Sequence, residues 1–546
     1  MTDTKLIPYI VESIQTYWDM PALTDYPGKA MSYGDAGRRI MWLHRLYKAC
    51  GMKKGSKVAV VGKNCSSWAL TWLSTITYGG TIVPIMASFS PEDTQYIINH
   101  SDSELLFISK ERFEAIDEDK LRKIKYIFAL EDFRLLVNRV DNKKELLPAL
   151  EDTPELLKLG PSGFSPPDVC DNEDIASIVY TSGTAGFSKG VMLPHRSLLA
   201  NVNFAVGKLC FKIGANVFAF LPIAHAYASA FDLLYPITRG NHINFLDKIP
   251  APKLLLNALQ DLKPNVVLTV PLLIEKIYKR QLQPQVESRK IKALLKIPLV
   301  KNVILKKIHD KLMAAFGGNI VELITGGAPM NAEVELFMKK IKFPFTIGYG
   351  MTECGPLISY ANWFKHRFES SGMIVDGMQC KILSPDPQNI PGEVVLKGDQ
   401  VFSGYYNNPE ATAETLVDGW LHTGDIGTLD KDGFIYLKGR SKNMILGPSG
   451  ENIYPELVEQ KLNNLPYVGE TLVLERDRQL HALIYPDMDA LDADHLKEAD
   501  LPRIMEENRQ NVNKVLASFS RIVKIHIVNE PFQKTPTQKI KRYLYR

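Results

Sequence analysis

Hydroxyl groups, glycines and one lysine are concentrated in a single segment near the middle of the chain. Residues 175–180 are apolar and β-branched, which predicts a buried strand. The segment that follows supplies the residues of interest, namely Thr181, Ser182, Gly183, Thr184 and Lys189. Backbone N–H groups of such a loop, with hydroxyls and an ammonium group, can surround a polyphosphate. An ordinary surface loop rich in serine and glycine is the alternative interpretation.

The loop is not a Walker A motif, because Gly190 follows the lysine where that motif requires Ser or Thr.

The secondary-structure elements around this loop must position its residues. Residues 59–85 are expected to form a strand, a helix and a strand, and apolar strand patterns recur later at 266–271 and 320–329. Such alternation predicts an α/β fold with doubly wound, largely parallel sheets. In these sheets ligands bind at the carboxyl ends of strands, where this loop begins.

Four further motifs follow the loop in a fixed order, and together the five are similar to the core motifs of the adenylate-forming superfamily. They are TSGTAGFSKG (181–190), GYGMTECGP (348–356), GWLHTGDIG (419–427), KGRSKNMILGPSGENIYPELVE (438–459) and KTPTQKIKR (534–542). That superfamily comprises acyl-CoA synthetases, peptide-synthetase adenylation domains and luciferases. The resemblance covers nearly the whole chain and is strongest to bacterial long-chain fatty acid–CoA ligases.

The resemblance implies a large N-terminal body, residues 1–440, and a mobile α+β C-terminal lid, residues 441–546. The body is expected to contain the doubly wound mixed sheets and, after about Gly372, a small β-rich subdomain with Gly/Pro turns. Lys442 lies at the position where family members pivot. The lid is long enough to fold as a unit of its own.

The resemblance also implies which residues bind ATP and magnesium. The loop residues 181–184 and Lys189 would contact the β- and γ-phosphates, although Ala185 and Ser188 depart from the usual pattern. Glu353 would bind Mg²⁺, since this cation takes few protein carboxylates beside phosphate oxygens. The other implied contacts are the α-phosphate for Thr352 and the adenine for Gly327, Ala328 and Tyr349. Asp425 would contact the ribose, and Arg440 would contact the ribose or a phosphate.

In the lid, Lys539 is the implied catalytic residue for adenylate formation, because a mobile lysine can contact carboxylate and α-phosphate together. Gln538 stands where most of the superfamily has glycine, a departure typical of the fatty acyl branch. Gly450 and Glu451 match the stretch beside which the pantetheine arm of coenzyme A passes. A side chain at Gly450 would crowd that arm.

Residues 218–237 resemble the segment that lines the acyl pocket, with His225 beside the substrate carboxylate. A packed core histidine is the alternative for His225. The resemblance therefore implies an ATP-dependent ligase that activates a medium- to long-chain fatty acid as acyl-AMP and transfers it to CoA. Alternatives are a ligase that loads an acyl carrier protein, a CoA ligase for another carboxylic acid, a luciferase-like oxygenase and a non-catalytic adenylate-binding protein.

Composition limits the remaining classes. The net charge of the 546 residues is +4, which argues against nucleic-acid binding as the main role. Scattered cysteines and a polar N-terminus predict a cytoplasmic protein.

Residues 276–311 combine lysines with apolar residues at helical spacing. This face would either contact anionic lipid at the inner membrane surface or be an ordinary solvated helix face.

Overall fold

The computed structural model describes residues 5–181, 188–209, 211–246, 252–447, 450–535 and 539–545. Its largest sheet has seven strands, in the spatial order Leu135–Asn138, Tyr126–Ala129, Leu105–Ile108, Lys57–Gly62, Thr81–Met86, Ile175–Thr181 and Lys189–Pro194. The inner strands are parallel, whereas the outermost strand on each side is antiparallel to its neighbour. The predicted doubly wound mixed sheet is confirmed.

The expected strand–helix–strand unit at 59–85 is present as Lys57–Gly62, Ser66–Thr77 and Thr81–Met86. Its helix is buried along its whole length, with Trp68 and Trp72 fully enclosed. Hydroxyls inside this helix bond to carbonyls one turn back, as Thr75 does to Thr71 at 2.7 Å. Polar residues are therefore accommodated in the core because the helix backbone accepts their hydrogen bonds.

A second, three-stranded parallel sheet contains Val266–Thr269, Glu322–Thr325 and Phe345–Ile347. A four-stranded sheet lies beside it, with the order Asn216–Ala219, His242–Leu246, Pro21–Tyr26 and Met31–Ser32. Smaller antiparallel sheets follow in the expected β-rich part of the chain. Their strands are Tyr349–Gly350, Leu357–Tyr360 and Met373–Ile374 in one, and Met378–Leu383, Gly392–Gly398, Trp420–Leu429, Leu416–Val417 and Ile435–Arg440 in the other.

The helices of the body cover the faces of these sheets. The α-helices are Leu6–Thr16, Tyr33–Ala49, Ser66–Thr77, Pro91–His100, Lys110–Phe113, Lys143–Ala149, Pro154–Leu157, His195–Lys208, Ala226–Ala228, Tyr235–Ile237, Pro252–Leu262, Pro271–Ile277, Gln283–Glu287, Arg289–Leu294, Pro298–Ala315, Ala332–Lys340 and Pro409–Thr415. Ser229–Leu234 and Tyr278–Leu282 are π-helical, and Glu118–Lys120, Pro161–Gly163 and Thr352–Cys354 are 3₁₀ turns. Among the helices that lie in the described ranges, none is long and apolar enough to cross a bilayer.

The C-terminal domain has a separate hydrophobic core. Its strands are Ile445–Leu446, Asn452–Ile453, Val468–Arg476, Gln479–Pro486 and Ile522–Ile527. Its helices are Pro455–Leu462, Met488–Ala493 and Leu501–Val515, with 3₁₀ turns at Ser441–Asn443, Glu498–Asp500, Ser518–Ser520 and Arg542–Leu544. This α+β composition confirms the fold class predicted for the lid.

Two hydrogen bonds that hold the lid against the body end on backbone carbonyls. Gln460 of the lid donates to the carbonyl of Met330 at 2.5 Å, and Lys279 of the body donates to the carbonyl of Asn463 at 2.8 Å. The side chains of Asn331 and Asn464 also bond across the interface. These bonds between the lid and the body are polar.

Candidate active site

Asp425 is bonded directly to both Tyr349 and Arg440. Asp425 and Arg440 are cross-strand partners on two adjacent antiparallel strands. The guanidinium Nε of Arg440 lies 2.7 Å from Asp425 Oδ1, and the Tyr349 hydroxyl donates to Oδ2 at 2.6 Å. Burial, and then the charge of Asp425, raise the pKa of Tyr349 well above its usual value. The result is an oriented carboxylate beside an aromatic ring, at the positions expected to bind ribose and adenine.

Two backbone segments approach each other closely beside Tyr349. Gly326 follows the end of strand Glu322–Thr325, and a Cβ placed there would lie 3.1 Å from the carbonyl oxygen of Gly348. Gly327 is exposed with φ +85°, a conformation that favours glycine, and Ala328 next to it is also exposed. These two residues, expected at the adenine, therefore present backbone groups to solvent on the same edge as Tyr349.

Glu353 lies in the 3₁₀ turn Thr352–Cys354, beside the buried Thr352. Its Oε1 accepts a hydrogen bond of 2.8 Å from the hydroxyl of Tyr405. In the parts of the chain that the structure describes, no group of three or more His, Cys, Asp and Glu residues could hold a metal ion. A lone oriented carboxylate fits Mg²⁺, which keeps water and phosphate oxygens as its other ligands.

Lys189 begins the strand that returns from the proposed phosphate loop, directly opposite Thr181 in the register. Its ammonium group lies 4.8 Å from the centre of the Tyr405 ring. The two stems of the loop are therefore adjacent, next to the carboxylate of Glu353. The other predicted phosphate ligands, Ser182, Gly183 and Thr184, lie outside the described residues.

Tyr405 is a site residue that the sequence analysis missed. Its ring contacts Lys189 and its hydroxyl holds Glu353, while its backbone N–H donates to Thr412 Oγ1 at 2.9 Å. The sequence signal was the GYY triplet at 404–406, where Gly404 has φ +123°. A glycine with a positive φ indicates a turn, and the buried Tyr405 follows this turn directly.

We expect Tyr405→Phe to raise the Mg²⁺ concentration needed for half-maximal adenylate formation by about tenfold, because Glu353 loses a hydrogen bond to a charged acceptor. Titration of pyrophosphate release with Mg²⁺ measures this. Tyr406→Phe is the matched control, since the Tyr406 hydroxyl bonds to the remote Asp102 at 2.9 Å. Equal Mg²⁺ requirements in the two variants would show that Tyr405 does not position Glu353.

Lys539 is carried by a hairpin at the end of the lid. Lys534 and Ile540 pair across it, and the Thr535 N–H donates to the carbonyl of Lys539 at 2.8 Å. Arg542 anchors the base of the hairpin through an ion pair with Glu459. Arg542 is therefore a structural residue of the lid.

Lys539 lies in the cleft between the lid and the body. Its side chain is exposed to the solvent of the cleft, yet the surrounding protein lowers its pKa. Desolvation is the main cause and the nearby charge of Arg440 adds to it, while Asp425 and Glu353 act in the opposite direction. The structure thus brings the lysine of the lid into electrostatic range of the carboxylates expected at the ribose and the metal.

His225 precedes the short helix Ala226–Ala228, and its Nδ1 accepts the backbone N–H of Tyr227 at 3.3 Å. Burial, with a smaller contribution from the charge of Lys539, lowers its pKa to about 4. The lysine and the histidine are therefore neighbours across the cleft. A neutral imidazole can orient a substrate carboxylate by a hydrogen bond but cannot neutralise it.

The lowered pKa of His225 predicts how kcat/KM depends on pH at acidic pH. Because the pKa in the folded state is lowered, the ring is uncharged above about pH 5 and gains its proton only below that. We expect His225→Gln to lower kcat/KM by about tenfold or less, as for one neutral hydrogen bond. The acid limbs of wild type and variant should coincide between pH 5.5 and 7. An acid limb near pH 6.5 that disappears in the variant would contradict this assignment.

The remaining predicted residues lie at the start of the lid. Lys442 is exposed in the 3₁₀ turn Ser441–Asn443, directly after the last strand of the body. Just before it, a Cβ at Gly439 would approach the Glu456 carboxylate to 2.7 Å. Gly450 is exposed with φ +91° in the connection between strands Ile445–Leu446 and Asn452–Ile453, and Glu451 follows it. Their roles as hinge and CoA contacts stay predictions.

Two protein-family models match the sequence of this chain. A sequence model described as "AMP-binding enzyme" matches residues 10–406, and one described as "AMP-binding enzyme C-terminal domain" matches residues 442–545. The two matches together include Lys189, His225, Tyr349, Glu353 and Lys539, whereas Asp425 and Arg440 lie between them.

Individual proteins are similar along most of the chain. The human long-chain-fatty-acid–CoA ligase ACSBG2 is 28% identical over 527 residues, which is 86% of this chain and 75% of that protein. The long-chain-fatty-acid–CoA ligase FadD15 of Mycobacterium bovis is 25% identical over 543 residues, 90% of this chain and 86% of that protein. The crystal structure of the anthranilate CoA ligase AuaEII with anthranoyl-AMP has the same fold, with a TM-score of 0.79 at 19% identity, covering 100% of this chain and 97% of that one.

Proposed function

Because the chain belongs to the AMP-binding enzyme family, we propose that it activates a medium- to long-chain fatty acid as an acyl-adenylate and transfers the acyl group to coenzyme A. The protein is an AMP-forming acid–thiol ligase, as are the long-chain-fatty-acid–CoA ligases of several species that it resembles. The choice of acid, the magnesium ion and the thiol are the parts that we propose.

The observation that carries the proposal is the position of Lys539, in electrostatic range of Glu353, Asp425 and Arg440. In the first half-reaction a carboxylate oxygen bonds to the α-phosphorus of ATP, and the bond to the bridging oxygen of pyrophosphate breaks. Two anions must approach each other for this step. A lysine ammonium between them lowers the repulsion and stabilises charge that develops on the α-phosphate.

The body residues would hold ATP in place for that attack. Tyr349 would pack against adenine, and Asp425 would accept hydrogen bonds from the ribose hydroxyls, with Arg440 keeping its carboxylate oriented. Lys189 and the stems of the phosphate loop would contact the β- and γ-phosphates. Glu353 would hold Mg²⁺, which when bound neutralises phosphate charge.

In the second half-reaction the thiol of CoA bonds to the acyl carbon and AMP leaves. We propose that the lid turns about Lys442, which withdraws Lys539 and brings Gly450 and Glu451 to the acyl-adenylate. Gly450 has no side chain and a positive φ, which supports a close approach of a slim pantetheine arm. The polar hydrogen bonds between lid and body can be exchanged for water, which supports such a movement.

The proposed acyl segment is largely apolar. It contains the π-helical turn Ser229–Leu234, whose residues are buried, and small residues lie in this turn and just before it. The small residues are Ala226, Ala228, Ser229 and Ala230. Tyr227 and Phe231 lie on the same segment with ring centroids 6.2 Å apart, where they could line an alkyl chain. Together with the names of the relatives, this supports a fatty acid as the substrate.

The test is release of pyrophosphate and AMP from ATP and Mg²⁺ across acids from acetate to stearate, with and without CoA. We expect turnover that depends on CoA and is highest with medium or long chains. Turnover highest with acetate or an aromatic acid would overturn the substrate assignment. Adenylate that forms with fatty acids but is not discharged by CoA would instead identify a carrier protein as the acceptor.

A further inference from the structure

A loop on the surface of the body displays two aromatic rings to solvent. Trp363 is 37% exposed and Phe364 is 67% exposed, and their ring centroids lie 6.1 Å apart. The loop follows strand Leu357–Tyr360. Exposed aromatic side chains lower the solubility of a protein. An exposed pair of them therefore indicates a surface that binds a partner.

Two buried carboxylates hold this loop from beneath. Glu322 accepts the backbone N–H of Trp363 at 2.6 Å and also binds the Tyr360 hydroxyl. Glu335 accepts from His366 Nε2 and from the backbone N–H of residue 369, both at 2.8 Å. Buried charges are costly and are kept where they are fully hydrogen-bonded. The loop is thus held in a form that keeps both rings outside.

The two residues next to those carboxylates in the chain are also apolar and exposed. Val321 is 40% exposed and Leu336 is 50% exposed. We call Val321, Leu336, Trp363 and Phe364 the aromatic patch. Trp363 and Phe364 stand on the loop that Glu322 and Glu335 bind, and Val321 and Leu336 are the chain neighbours of those two carboxylates.

Lysines accompany the aromatic patch. They are Lys339, Lys340, Lys342 and Lys365, all exposed, and within the described residues none of them forms an ion pair. Lys339 and Lys340 follow Leu336 by three and four residues on the same helix, so they share its exposed face. Glu369 is the exposed acid of the loop.

We propose that the aromatic patch is a docking surface for an anionic lipid bilayer. Tryptophan and phenylalanine partition into the interface between headgroups and acyl chains, and lysines beside them attract anionic headgroups. A second copy of the chain is a poorer fit, because a symmetric dimer would bring two sets of lysines together. The inference goes beyond the proposed function, and its test needs no catalysis.

The docking surface also has a defined place relative to the active site. Strand Glu322–Thr325 starts next to Val321 of the aromatic patch, and Gly326, which follows its end, precedes the residues expected at the adenine. Four residues of strand span only ~13 Å. A fatty acid leaving a bilayer at the patch would therefore be released close to the cleft.

The experiment is flotation of the full-length protein with vesicles of equal parts phosphatidylglycerol and phosphatidylcholine, and with vesicles of phosphatidylcholine alone. We expect binding to the anionic vesicles that weakens with salt. The double variant Trp363→Ala/Phe364→Ala should bind at least about tenfold more weakly. Each of Lys339→Gln, Lys340→Gln and Lys342→Gln should weaken binding to anionic vesicles about fivefold.

The matched control is Phe519→Ala/Val523→Ala on the lid, whose side chains are exposed to a similar degree, 40% and 48%. This variant should bind vesicles as the wild type does. Tryptophan emission gives a second readout, because Trp363 is the one tryptophan of the described residues that is strongly exposed. Its emission should shift to shorter wavelength on anionic vesicles, and the shift should be absent in Trp363→Phe.

Three results would overturn the proposal. Equal binding of wild type and Trp363→Ala/Phe364→Ala would exclude the aromatic patch. Loss of binding in Lys290→Gln/Lys296→Gln instead would assign the lipid contact to the basic segment at 276–311. A change of sedimentation coefficient without lipid in the patch variant would show that the patch joins two copies of the chain.

Discussion

Lys539→Ala should lower the rate of adenylate formation by about 10²–10³-fold, as loss of one preorganised electrostatic group does. The variant should still convert supplied acyl-AMP and CoA to the thioester and AMP at nearly the wild-type rate. The reason is that the ammonium group reaches the cleft beside Glu353 and Asp425 from the lid, and only the first half-reaction joins two anions there. Pyrophosphate release and single-turnover thioester formation measure the two halves separately.

Lys541→Ala is the matched control for this experiment, because it removes a lysine two residues further along the same hairpin while its backbone keeps the bond to Gln533 at 2.8 Å. It should leave both half-reactions within about twofold of wild type, because Lys541 is a half-buried residue for which no catalytic contact is proposed. If both half-reactions fall together in Lys539→Ala, the lysine supports the whole site and not adenylate formation alone.

Glu353→Gln should reduce adenylate formation by about 10²–10³-fold and remove most of its dependence on Mg²⁺, since the amide keeps the shape and loses the charge. The Tyr405 hydroxyl can still donate to the amide oxygen, so the turn Thr352–Cys354 should stay folded. Pyrophosphate release at increasing Mg²⁺ measures the effect. Circular dichroism and the melting temperature serve as the check on folding.

Two comparisons make the Glu353 experiment specific. Tyr405→Phe should show a smaller loss that excess Mg²⁺ restores, whereas Glu353→Gln should not be restored. Thioester formation from acyl-AMP should be affected much less in both variants, because no pyrophosphate has to be neutralised in that step. An unchanged Mg²⁺ dependence in Glu353→Gln would place the ion elsewhere.

Much of the fold was predictable because buried parallel strands and their helices leave clear patterns. The strand–helix–strand unit at 57–86 has apolar strands and a helix that ends at Gly79 and Gly80. What pattern alone could not predict was the antiparallel strand at each edge of the seven-stranded sheet. Strand direction at an edge depends on how the chain returns in space, and local periodicity carries no record of that.

In the site, the sequence indicated residues whose motif context is local, such as Glu353, Asp425 and Lys539. It did not indicate Tyr405, because the partner that makes Tyr405 informative lies 52 positions away. The same is true of Glu335, which reads as an ordinary acid near the start of a helix but is buried against His366. Contacts of this kind follow from tertiary packing, which separates residues of one site along the chain.

Two hydrogen bonds between the lid and the body have main-chain carbonyls, those of Met330 and Asn463, as their acceptors. Every amino acid supplies a carbonyl, so mutation at either acceptor leaves the bond available. The side-chain requirement falls on the donors Gln460 and Lys279 and on the pair Asn331 and Asn464. Over evolutionary time the two domains can therefore accumulate substitutions at their interface almost independently. A lid from a distant relative could be grafted onto this body with few compensating changes.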